Sequence, residues 1–432
     1  MNSYHYSSQT FPVSDFGQIK EKVLNWVQSF STFCLLDNHQ YHLAPHAVEC
    51  LVAAGARRQL SCQAGNALDS LQAFQEAKKS WLFGHLSYEL KNETESLQSA
   101  LPDRIGFPDL FFFEPEIVLR LSENQLHIEA EDPGSVYESI LHTPVQSLQK
   151  TSAIPEIKQT FTRDEYIEVI QALQRHIARG DCYEINFCQE FFATEAGIDP
   201  LSVYLALSRL SPNPFSAFYR MQDRWLICAS PERFLKKTGN RLLSQPIKGT
   251  SRRFPDNKML DEQNREALFN SAKDRSENVM VVDLVRNDLS RVCKEGSVRV
   301  DELYGIYSFP QVHQMISTIS GTMRENISLS QVLKATFPMG SMTGAPKKRV
   351  MELIEKYERS RRGIFSGAVG YIDPAGDFDL NVVIRSIMYN QEADCLSFQA
   401  GSGITHYSDA AAEWEECGLK AAAIIKVLKG ER

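Results

Sequence analysis

The chain has 432 residues, 43% hydrophobic and 23% charged, enough to build two lobes or one elaborated domain around a sizeable core. Its formal charge of −8 argues against a nucleic-acid groove as its main business, but not against a small anionic substrate held by a few local cations. Residues 1–10 contain no apolar signal core, no apolar run reaches membrane-spanning length, and the nine scattered cysteines include no CxxC pair. These features predict a soluble, cytoplasmic protein with reduced thiols, no membrane contact and no nucleic-acid partner.

In chain order, short β-like runs at 31–36 and 110–121 alternate with helical patches. The stretch 143–160, rich in Ser, Thr, Gln and Pro, reads as a connection, dividing the chain into an N-terminal part (1–150) and a second part (151–432). Thr162 and Glu165 form a capping-box pattern. Tyr166, Ile170, Leu173 and Ile177 then share one helical face, and Gly180 marks the stop. Strands are expected at 183–193, 216–220, 225–235 and 241–247, the last two joined by a hairpin at 237–240. A helical stretch follows at 262–289. Pro346 is expected at the first position of a helix running to about 358. Strand-like runs at 367–372, 381–389 and 395–400 precede a terminal helix at 410–428. Blocks of strands and blocks of helices, linked by hairpins, predict an α+β fold.

Several residues have the chemistry of a site. Lys248, in Pro246-Ile247-Lys248-Gly249-Thr250, is a candidate nucleophile if desolvated, and an ordinary solvated lysine if not. Glu232, just before the hairpin, could approach Lys248 from an adjacent strand, or simply pair with Arg233. Asp274 and Glu277 lie on one helical face, and Glu413 and Glu416 repeat that spacing about 140 residues later. Each pair reads equally as a solvated face or as half of a magnesium site, and spacing alone does not bring them together. Gly344-Ala345-Pro346-Lys347 opens a helix whose free N–H groups suit an anion, without the Walker glycine spacing. Gly401-Ser402-Gly403 after a strand is either a carboxylate-binding turn or merely a turn. Arg385, within an apolar run, needs a carboxylate partner if buried. His313 is as readily a satisfied core residue as a site residue.

Taken together and in this order, these motifs resemble the chorismate-utilising enzymes, specifically from about residue 161 onward and more loosely before it, at Gly84-His85-Leu86-Ser87-Tyr88-Glu89 and Phe107-Pro108-Asp109-Leu110. The resemblance implies large antiparallel β-sheets packed face to face with flanking helices, with 151–432 as the chorismate-binding part, intertwined with the first. It implies Glu232 as general acid and His313 beside the substrate ring. Thr250, Ser341, Tyr371, Arg385, Gly401, Gly403 and Lys420 would surround the substrate and its two carboxylates. Glu277 and Glu416 would hold Mg²⁺, with Asp274 and Glu413 in support. Lys248 stands where many relatives carry a small residue, and it singles out the members that aminate chorismate at C4 through a covalent lysine intermediate. The product would be 4-amino-4-deoxychorismate, on the way to 4-aminobenzoate and folate.

The pattern departs from the family at two places. Glu184 stands where members that hydroxylate C2 carry an activating lysine and amino-transferring members more often carry Gln; the missing lysine argues against C2 hydroxylation, and the extra acid is unexplained. Leu35-Leu36-Asp37-Asn38 replaces a Leu-Leu-Glu-Ser tryptophan motif, which argues against tryptophan feedback. No Gly-x-Cys-x-Gly glutaminase motif occurs, so ammonia is expected free or from a glutamine amidotransferase subunit, and pyruvate release from a separate lyase. The competing readings are amination at C2 to anthranilate and, from another class, a non-catalytic subunit that binds an aromatic metabolite.

Overall fold

The computed structural model describes residues 6–41, 50–145 and 155–430. Its strands form two large sheets in which the paired strands run antiparallel. The first runs, in spatial order, through Ser7–Pro12, Gln125–Ala130, Ile117–Ser122, Cys50–Ala54, Thr32–Asp37, Phe215–Met221, Arg224–Ser230, Ser386–Asn390, Cys395–Ile404, Glu184–Thr194 and Gly344–Ala345. The second runs through Ile247–Arg252, Val312–Thr322, Arg241–Gln245, Arg233–Thr238, Phe378–Asn381, Ala368–Ile372, Leu82–Leu86, Leu110–Glu114 and Arg58–Cys62. Each sheet therefore takes strands from both halves of the sequence. The expected connection falls largely on residues 146–154, outside the described residues.

Strand periodicity explains the layering. Alternate residues point to opposite faces, and in the first sheet both faces are apolar. Phe33, Leu35, Val52, Phe218 and Ile227 pack with helical residues such as Val23, Tyr166, Tyr204 and Ile424. Their neighbours Cys34, Leu51, Ala53, Tyr219 and Leu226 pack against Phe83, Phe113, Leu235 and Leu380 of the second sheet. Val281, Val285 and Val332, from helices Ala272–Ser290 and Leu329–Thr336, join that second core. Two sheets thus lie face to face with helices outside them, and each fully buried Leu or Phe contributes roughly 1.5–3 kcal/mol. All nine cysteines are free thiols, eight buried and Cys62 half-buried. Among the described residues no helix is long and apolar enough to cross a membrane.

The expected helices form where local signals are strong. Arg163–Ala178 carries the reciprocal Thr162/Glu165 capping box, and Ala410–Leu428 is capped by Asp409. The 237–240 hairpin forms with Thr238 paired to Arg241. Three expectations change. The run 225–235 is two strands, broken at Pro231-Glu232, because the chain leaves the first sheet there and enters the second. The run 381–389 breaks likewise at 382–385, where Arg385 has φ +52 rather than a strand conformation. Pro346 is the N-cap with extended ψ 137, so its helix, Lys347–Tyr357, begins one residue later than expected.

Candidate active site

Lys248 lies on the edge strand Ile247–Arg252. The register of that strand against Val312–Thr322 slips between Ile247 and Thr250. This irregularity re-aims a side chain, as bulges beside active sites do. Gly249 makes it possible: its φ is +92, and a Cβ there would lie 3.0 Å from Asp274. The Lys248 side chain is 11% exposed, and its Nζ donates to Glu184 Oε1 at 2.7 Å. Burial works against its charge, but Glu184, Glu277 and Glu232 outweigh burial and hold the ammonium pKa above its ordinary value. Lys248 is thus enclosed but held as an ammonium by its acidic neighbours.

Glu232 occupies the crossing between the sheets, 3% exposed. Burial pushes its carboxyl up to about 7, partly offset by Ser341, Lys248, the Ile247 backbone and Arg385. It does not pair with Arg233, which instead forks onto Asp379 at 2.9 and 3.0 Å. Arg385 is half-buried beside Glu232, and burial lowers its guanidinium to about 10. Among the described residues no hydrogen bond or ion pair of its side chain is formed. Such a cation suits an incoming carboxylate.

The two carboxylate pairs converge. Helix Ala272–Ser290 carries Asp274 and Glu277, and helix Ala410–Leu428 carries Glu413 and Glu416. Lys273 Nζ bridges them, 3.9 Å from Glu277 Oε1 and 3.5 Å from Glu413 Oε1, with Glu416 also in its field. Burial raises Glu277 to about 7, and its Oε1 is buried with no hydrogen-bond partner among the described residues. Glu416 is held below its usual range: burial opposes this, but Lys420, Lys273 and Lys248 prevail. A buried oxygen that accepts no hydrogen bond, among carboxylates that already gather a cation, fits a hard metal ion. Among the described residues no group of three or more His, Cys, Asp and Glu side chains could hold one unaided. A magnesium ion here would take substrate or water oxygens as its remaining ligands.

Gly401 and Gly403 lie inside the strand Cys395–Ile404, opposite Cys188 and Asn186, rather than in a turn. Lys420 Nζ donates to the Gly401 carbonyl at 2.8 Å and pairs with Glu416 at 2.8 Å. A Cβ on Gly403 would lie 2.5 Å from Glu184 Oε1 and 2.9 Å from Lys248 Nζ. The glycine is thus the clearance in which that pair sits. Behind it, the buried Arg362 bonds Glu358, the Met342 carbonyl and the Asn186 carbonyl, tying the Ser341 segment to the strand that bears Glu184.

Tyr371, His313 and Lys347 have partners of their own. Tyr371 lines a cavity with Leu36, Asp37 and Asn38 and meets the rings of Trp81 and Phe83 at a tilt. His313 is 1% exposed and spends both ring nitrogens on Ser308 and Asp261, a satisfied core histidine. Lys347 Nζ binds Asp288 at 2.6 Å. Thr250 remains exposed on the nucleophile's strand. Opposite it in register stands Gln314, buried with neither amide atom hydrogen-bonded among the described residues. Nothing in the local sequence marked Gln314. Lys273 was signalled only by its i,i+4 spacing to Glu277.

Known proteins are similar to this chain over most of its length. Aminodeoxychorismate synthase component 1 of Escherichia coli is 36% identical over 353 residues, covering 80% of this chain and 76% of its own. Anthranilate synthase component 1 of Thermus thermophilus is 32% identical over 358 residues, covering 80% and 77%. The crystal structure of anthranilate synthase component I from Streptococcus pneumoniae shares the fold, with a TM-score of 0.76 at 24% identity over 87% of this chain and 91% of that one. With residues 33–426 matching it, the chain belongs to the chorismate binding enzyme family.

Proposed function

We propose that this protein aminates chorismate at C4 with ammonia, giving 4-amino-4-deoxychorismate for 4-aminobenzoate and folate synthesis. The observation that carries the reading is Lys248, buried on a bulged strand and within the fields of Glu184, Glu277 and Glu232. That several relatives of 34–39% identity bear the name aminodeoxychorismate synthase component 1 supports it.

The C4 hydroxyl of chorismate is a poor leaving group until protonated. Glu232, with its raised pKa, holds a proton near neutrality and delivers it to that oxygen. The Lys248 amine attacks C2 as water departs from C4 with an allylic shift. Ammonia then attacks C4 and expels the lysine, so one hard substitution becomes two easier ones. Arg385 and Lys420 supply positive charge for the substrate's carboxylates, with Ser341, Thr250 and the glycine strand completing the walls. Glu277 and Glu416 would hold Mg²⁺, with Asp274 and Glu413 behind them; the ion would neutralise and orient a chorismate carboxylate. Ammonia comes from a glutamine amidotransferase subunit, and a separate lyase releases pyruvate.

Amination at C2 to anthranilate is the reading opposed by Lys248, which fills the approach to C2. The test is product analysis of purified protein with chorismate, ammonium salt and Mg²⁺, by chromatography with mass detection, with and without chelator. Aminodeoxychorismate formed only with Mg²⁺ is expected. Anthranilate as the product would overturn the role of Lys248.

A further inference from the structure

Among the described residues the one hydrogen-bond partner of Lys248 Nζ is Glu184, at 2.7 Å, and Glu184 is itself 2% exposed. Its backbone is fixed between two strands, opposite Ala345 on one side, with Ile185 opposite Ile404 on the other. Its second oxygen, Oε2, is buried with no hydrogen-bond partner among the described residues. Among the described residues the negative charge on Glu184 is thus balanced at contact distance by Lys248 alone. If the lysine lost its proton to water, a buried carboxylate would stand unpaired, at high cost. Moving the proton across the 2.7 Å contact removes both charges together.

We propose that Glu184 is the general base that takes the proton from Lys248 Nζ as the amine attacks C2, and returns it when the amine is expelled. The proposal rests on the covalent lysine reading given above. The step balances without any further reagent. The Nζ–H bond breaks and an Oε1–H bond forms, leaving a neutral amine and a neutral acid. The amine's electron pair forms the Nζ–C2 bond, the C1=C2 pair shifts to C1=C6, the C5=C6 pair shifts to C4=C5, and the C4–O pair leaves as water with the proton from Glu232. When ammonia displaces the lysine, the freed amine recovers its proton from Glu184.

Other charged groups also face Lys248. Glu277 and Asp274 approach from helix Ala272–Ser290, Glu416 from helix Ala410–Leu428, and Glu232 from the sheet crossing, with Arg385 beside it. Among the described residues none of these makes a hydrogen bond to Nζ. Glu232 is already committed as the acid, so Glu184 alone has the position for the opposite role.

The test is the rate at which chorismate, without ammonia, forms an adduct on Lys248, read by intact-protein and peptide mass spectrometry across the neutral pH range. Glu184→Gln keeps the size and loses the base. Its adduct rate is expected to fall roughly 100-fold or more at pH 7. The ratio of variant to wild-type rate should rise about tenfold per pH unit, because the variant must lose its lysine proton to solvent. Glu184→Asp, which keeps a carboxylate, should retain the wild-type pH profile at a reduced rate and decides the matter if the glutamine variant misfolds. A Glu184→Gln rate equal to or above wild type, or a slower rate whose ratio does not change with pH, would overturn the proposal while leaving the Lys248 adduct intact. Absence of any adduct in the wild type would overturn the covalent reading, and Glu184's role with it.

Discussion

Glu232 acts as it does because of where the chain bends. The backbone leaves one sheet at Ser230 and enters the next at Arg233, so the side chain between them is enclosed by both. A carboxylate there loses its hydration, and burial moves the group to about 7 despite the neighbouring cations. As the proposed acid, Glu232 works in its protonated form, so turnover should decline as pH rises through about 7. In Glu232→Gln, kcat should drop roughly 10²–10⁴-fold and that alkaline decline should disappear. The check is kcat against pH at constant free ammonia. Stability has a sign of its own. A carboxyl whose folded pKa is raised favours the folded state below its unfolded pKa of 4.5, and that advantage is lost as pH climbs to about 7. Above pH 7 the glutamine variant should therefore be the more stable protein, by up to about 3 kcal/mol. An inactive variant with a higher Tm would separate a catalytic loss from a folding defect.

At the scale of elements, the strand Cys395–Ile404 carries two glycines that serve different ends. A Cβ on Gly401 would meet the Phe187 carbonyl at 2.0 Å, a backbone atom of the neighbouring strand that cannot step aside. A Cβ on Gly403 meets only the ends of Glu184 and Lys248. Gly401→Ala should therefore cost about 1–3 kcal/mol of stability or more, as overpacking does, and lower Tm through loss of strand pairing. Gly403→Ala should leave Tm nearly unchanged and reduce kcat at least tenfold by pushing the reacting pair apart. Melting curves and steady-state rates on the two variants distinguish these outcomes. The sequence disclosed both glycines but not their setting, because a Gly-Ser-Gly triplet after a strand has the composition of a turn. Local signals sufficed where the cause was local: the Thr162/Glu165 cap and the 410–428 helix were legible for that reason. Breaks at 231–232 and 382–385 were not, since apolar character continues while the chain changes sheets. The contacts of Tyr371 with the Asp37 cavity and of His313 with Asp261 were not legible either, because their partners lie far away in the sequence.

At the scale of the whole molecule, the convergence of the two carboxylate pairs depends on strands far from either. Every residue assigned a chemical role lies beyond residue 155, which would suggest that 155–432 can work alone. The sheet order argues otherwise. In the first sheet, Phe215–Met221 pairs with Thr32–Asp37 through six registered positions. In the second, Ala368–Ile372 pairs with Leu82–Leu86 through five. Removing the N-terminal part would bare both of these strands as apolar edges, with Phe218, Tyr219 and Val369 stripped of neighbours, and such edges recruit other chains. Expressed alone, 155–432 should be insoluble or associated and should not turn over chorismate. Coexpressed with 1–145 as a separate chain, it should recover soluble protein and activity, because the two seams carry main-chain pairing and apolar burial rather than covalent continuity. Soluble yield, sedimentation and turnover measured on the three preparations decide the point. A fragment 155–432 that is monomeric and active by itself would mean that the seams matter less to the site than their position in the sheets implies.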